Sequence, residues 1–123
     1  MTVLLLALAG GVGAAARFVV DGLLRQRLKT ALPWGTILIN VSGSLVLGLL
    51  AGLLLRGQAS ESLFLIVGTG FLGGYTTFST ASLETIRLIQ SGRTGLALIN
   101  GVGSMAASVL AAAAGVGIGL LLT

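Results

Sequence analysis

Residues 68–85 read GTGFLGGYTTFSTASLET. Apolar residues lead into this stretch from Leu63, and no charge follows until Glu84. Near its middle stand Gly73, Gly74, Tyr75, Thr76 and Thr77. Paired glycines and β-branched threonines are poor helix formers. The sequence therefore predicts a bilayer-crossing segment broken at 73–77. An unpaired backbone group in hydrocarbon costs several kcal/mol, so such a break must be buried in protein, line a wet cavity or hold an ion. Unwound backbone at mid-membrane is a recurring way to build an ion site.

The rest of the chain supports a membrane setting. Of 123 residues, 55% are hydrophobic and only 8% charged, against about a quarter charged in soluble domains. Four charge-poor segments, approximately 2–20, 34–55, 62–89 and 95–122, each approach the ~20 residues that a spanning helix needs. They use nearly the whole sequence. The fold class is all-α integral membrane, as a single four-helix domain. Four helices make a thin wall around any solute path, so at least a dimer is expected, with the path near the subunit interface. The 20 glycines fit close helix packing. The first segment has the apolar core of a signal peptide, but no Lys or Arg precedes that core and Arg17 follows it.

Composition also excludes chemistry. There is no Cys and no His, and the three carboxylates Asp21, Glu61 and Glu84 lie far apart. No catalytic set or metal-ligand cluster is visible, and the glycine-rich stretches lack the Lys of a phosphate loop. An enzyme is not expected. The net charge of +4 sits in short loops, which fits membrane topology rather than nucleic-acid binding. Arg25, Arg27, Lys29 and Arg93 fall in the first and third loops, with Arg87 close by, while Arg56 stands in the second. The positive-inside rule places the first group in the cytoplasm.

Polar residues recur at helical spacing. Gly10, Gly13, Ala14 and Arg17 share a face of the first segment, with Arg17 either snorkelling to the headgroups or facing a vestibule. Asn40 and Ser44 are four apart, with Gly48 and Gly52 repeating that spacing. Asn40 either joins helices or offers its two N–H hydrogens to an anion. Asn100, Ser104 and Ser108 form a file along the fourth segment that drifts by about 40° per step. Gly115 and Gly119 read as packing positions. Glu84 reads as solvated or paired with Arg87.

At these residues the sequence resembles the CrcB, or Fluc, fluoride channels. The signature is Gly73-Gly74-Tyr75-Thr76-Thr77-Phe78-Ser79-Thr80. The resemblance extends to Arg17-Phe18, Gly35-Thr36, Asn40-Val41-Ser42-Gly43, Asn100 and Gly103-Ser104. It implies an antiparallel dimer in the inner (plasma) membrane, with two pores for passive fluoride efflux and resistance to fluoride toxicity. It further implies that backbone carbonyls of Gly73 and Thr76 from both subunits hold Na⁺ at the two-fold axis. Asn40 would donate to fluoride, and Phe78 would offer its electropositive ring edge. Ser104 and Ser108 match the polar track, Thr77 the lining near the break, and Arg17 the vestibule. Asn100 takes a track position where some members carry Tyr. One departure is Ala81, where the family pattern has a second Phe. A homodimer with altered pores, or one half of a heterodimer, would each accommodate it. The alternative from another class is a four-helix drug/proton antiporter, which needs a carboxylate inside the membrane.

Overall fold

The computed structural model describes residues 1–122. All regular structure among them is helical, and four helices are long and apolar enough to cross a membrane. The first runs Thr2–Arg27 and the second Trp34–Leu55. The third span covers Glu61–Gln90 and the fourth Thr94–Leu121. The first helix thus continues past residue 20 to Arg27, through the first half of the stretch expected to be loop, and the chain leaves helical geometry from Leu28 to Pro33. Arg25 and Arg27 lie in its last turn, where cations oppose the helix dipole. Pro33 precedes the second helix. Ser60 opens the third span, its side chain accepting a hydrogen bond from Leu63 N at 3.1 Å. Gly57 and Gly92 turn the chain between spans with positive φ, 75° and 79°.

The third span changes its winding four times after its opening α-helical turn, Glu61–Leu63. Phe64–Leu72 is a π-helix, Gly73–Tyr75 is α-helical, and a new α-helix occupies Phe78–Gln90. Between them Thr76 (φ −82°, ψ 158°) and Thr77 (φ −149°, ψ 118°) are extended. The two glycines remain helical, so the irregular backbone is confined to the threonines. Their branched side chains disfavour the helix and suit extended geometry. A second π-helical turn, Ile99–Gly103, carries Asn100 and leads into Ser104.

Glycines set which helices meet. A Cβ at Gly48 would run into the Ala112 carbonyl, and one at Gly115 into the Leu45 carbonyl. The Gly48/Gly52 and Gly115/Gly119 faces therefore press the second and fourth helices backbone to backbone. The first helix meets the third span in the same way. A Cβ at Gly13 would strike the Phe71 carbonyl, and one at Gly74 the Gly10 carbonyl. Few large side chains are buried by this chain alone, among them Ile39, Leu72 and Leu88. With apolar lipid around them, helices associate through close packing rather than burial from water.

Gly115→Ala is therefore expected to lower the thermal unfolding midpoint in detergent, because overpacking costs about 1–3 kcal/mol. Gly117→Ala, where a Cβ meets nothing within 4 Å, should leave the midpoint unchanged.

Candidate ion pathway

The extended threonines interrupt the backbone hydrogen-bond ladder, and the fold answers most of the loss with side chains. Asn40 on the second helix donates from Nδ2 to the Thr77 carbonyl at 2.8 Å and accepts from Thr77 N at 2.8 Å. Its amide therefore stands in for a missing stretch of ladder. Arg17 on the first helix donates from Nε to the Gly74 carbonyl at 3.2 Å. Thr77 caps the helix that follows, its Oγ1 accepting from Thr80 N at 3.2 Å and donating to Thr80 Oγ1 at 3.1 Å. The Thr76 hydroxyl donates back to the Leu72 carbonyl at 2.9 Å.

The carbonyls of residues 73–76 all lose their helical donors in this arrangement, and Arg17 takes over that of Gly74; Gly73 and Thr76 are two of the four. In a continuous α-helix, Gly73 O would accept from Thr77 N and Thr76 O from Thr80 N. Here Thr77 N serves Asn40, and Thr80 N serves the Thr77 hydroxyl. These are the two carbonyls that the sequence resemblance singles out. Gly73 is exposed, and nothing lies within 4 Å of where its Cβ would be.

Thr77 borders two cavities. The smaller, about 190 Å³, is lined by Arg17, Phe18, Asp21, Thr36, Thr77 and Thr80 among others. The larger, about 850 Å³, includes in its walls Asn40, Phe78, Asn100, Ser104 and Ser108 as well as Thr77. Every residue singled out for the pathway thus lines one cavity or both. Phe78 is 76% exposed, so its ring stands largely free of its own chain.

Some roles differ from expectation. Arg17 carries a backbone contact as well as a vestibule position. Asn40 has committed one of its two N–H hydrogens. Asn100 is fully buried, and its Nδ2 already donates to Thr85 Oγ1 at 2.8 Å and to the Ala81 carbonyl at 3.3 Å. It is therefore not an open donor to a solute. Thr85 donates to the same Ala81 carbonyl at 2.8 Å, so Asn100 and Thr85 share one backbone acceptor. Ser104 donates to the Asn100 carbonyl one turn earlier. Glu84 is neither solvated nor bound to Arg87: it is 8% exposed and accepts from Arg25 NH2 at 2.9 Å. Sequence reading gave Thr85 no site role, although its place one turn after Ala81 put it on the right face.

Four apolar spans around two mainly apolar cavities that carry a few polar groups in their walls, both bordered by the backbone step at Thr77, define a multi-pass membrane protein. The family model "CrcB-like protein, Camphor Resistance (CrcB)" matches residues 4–116. The chain belongs to this family. It is 50% identical over 119 residues, 97% of this chain and 87% of the other, to "Fluoride-specific ion channel FluC 1" of Leifsonia xyli subsp. xyli. It is 47% identical to "Fluoride-specific ion channel FluC 2" of Nitrobacter hamburgensis, covering 94% of both chains. It is 44% identical to "Fluoride-specific ion channel FluC" of Magnetococcus marinus, covering 99% of this chain and 100% of that one.

Asn40→Ala would leave both the N–H and the C=O of Thr77 without the amide. A buried group left unpaired costs about 1–3 kcal/mol. The variant should unfold at clearly lower temperature in detergent, whereas Ser44→Ala, whose hydroxyl supports no backbone group at the step, should not.

Proposed function

We propose that this chain forms a passive, fluoride-selective channel that lets fluoride leave the cell and so protects against its toxicity. The observation that carries the reading is Thr77, clamped by Asn40 and standing in the wall of both cavities. A solute crossing from the cavity at Arg17 and Asp21 to the one at Phe78 meets, beyond those two charges, neutral donors and a ring. The second N–H of Asn40, the hydroxyl of Ser108 and the ring edge of Phe78 suit a small desolvated anion. The family membership and the names of the relatives agree with this chemistry. An antiporter would need a carboxylate free in the path, and Glu84 is instead paired with Arg25.

The pathway is completed by a second copy in antiparallel orientation, giving two pores. Support comes from the exposed Phe78 ring and the exposed Gly73 beside a cavity that is large for so small a chain. The third span acts as a broken helix, its step at Thr76 and Thr77 lying at mid-membrane. The carbonyls of Gly73 and Thr76, left without helical donors, fit a hard monovalent cation. Oxygen ligands suit Na⁺, and a two-fold axis would bring two such pairs together. Bound there, Na⁺ would supply the positive charge that satisfies these carbonyls. A related subunit could take the second position in place of an identical one, supplying an aromatic ring opposite Ala81. The membrane is the inner (plasma) membrane.

The test is efflux from liposomes loaded with fluoride and holding the purified chain alone, started with a potassium ionophore. Rapid fluoride release with no chloride release in a parallel sample is the expected result. Well-folded protein that releases no fluoride, alone or with a related partner subunit, would sink the channel reading.

A further inference from the structure

The first helix carries Arg17, Asp21 and Arg25 at successive turns, spaced by four. Asp21 is therefore within one turn of a cation on either side and can pair with one at the other's expense. The structure resolves this competition in favour of Arg25, whose Nε donates to Asp21 Oδ2 at 2.9 Å. Arg17 makes no ion pair among the described residues.

Two further contacts hold the arrangement. Arg25 NH2 reaches across to Glu84 Oε2 on the third span, which fixes the guanidinium between the two carboxylates. The other Asp21 oxygen, Oδ1, lies against Gly35, where a Cβ would collide with it. Gly35 thus leaves room for the parked carboxylate. Arg17 and Asp21 both line the 190 Å³ cavity that ends at Thr77 and Thr80. A carboxylate turned toward Arg17 there would cancel the one positive charge in that wall. The pair would then no longer attract an anion entering a confined, poorly screened space.

We propose that Arg25 is a positioning residue for permeation. It draws Asp21 away from Arg17 and so leaves the Arg17 charge facing the incoming anion. Glu84 serves as the anchor that holds Arg25 in place. The inference rests on the reading of this cavity as an anion vestibule.

The experiment compares fluoride efflux from liposomes over a range of fluoride concentrations. The variants are Arg25→Gln/Glu84→Gln, the same pair with Asp21→Asn, and Arg17→Gln. Removing Arg25 and Glu84 together leaves no uncompensated charge at 84 but frees Asp21 to turn to Arg17. Efflux at low fluoride should fall about tenfold, in line with lost electrostatic focusing, and the deficit should narrow as fluoride rises. Adding Asp21→Asn should restore efflux. A packing defect would instead lower efflux at every concentration and would not respond to Asp21→Asn. Arg25→Lys gives a milder second test that keeps the charge. One ammonium cannot replace the two-armed bridge, so the same concentration-dependent deficit, again relieved by Asp21→Asn, is expected. Efflux of both Arg25 variants equal to wild type, or no rescue by Asp21→Asn, would overturn the proposal while the vestibule survives. Unchanged efflux in Arg17→Gln would remove the vestibule reading itself.

Discussion

A backbone polar group without a partner costs several kcal/mol in hydrocarbon, and the architecture here depends on how that cost is met at Thr76 and Thr77. Each side chain that meets it comes from a different helix. Asn40 supplies both halves of an amide from the second, and Arg17 reaches the Gly74 carbonyl from the first. Thr77 itself caps the helix that follows. Arg17, Asn40 and Thr77 thus converge on one step because that step leaves them groups to satisfy. The same convergence gives a fixed array of donors between two cavities.

Close approach of the helices makes this reach possible. The first helix packs on the third span through Gly13 and Gly74, within van der Waals distance of backbone carbonyls. A bulkier residue at either place would hold Arg17 away from the step. The second and fourth helices are pressed together by a separate set of glycines, which places Asn40 and Ser104 along one cavity. Small residues here set the geometry of the polar ones, at the expense of a large internal core. The many exposed apolar side chains are what lipid or a second subunit would cover.

Ala81 illustrates how a local departure is absorbed. Its small side chain leaves space beside the Phe78 ring, and Asn100 and Thr85 both turn their donors to its carbonyl. A polar residue that spacing alone would place in a solute file is instead spent on protein.

Hydropathy and the near absence of charge determined by themselves four helices able to span a membrane, whereas of the break expected at 73–77 only Thr76 and Thr77 are extended and the two glycines stay helical. These signals are local, set by each residue's own solvation and backbone preference. The residues that line the two cavities were legible too, because polar side chains in an apolar segment stand out. Which atom each would bind was decided only by the tertiary structure. Spacing could not tell that Arg17 would serve Gly74, that Asn100 would be consumed by Ala81 and Thr85, or that Glu84 would take Arg25 rather than the neighbouring Arg87. Those pairings join residues from 15 to 59 positions apart in sequence, and they follow from helix packing that periodicity within one segment does not encode.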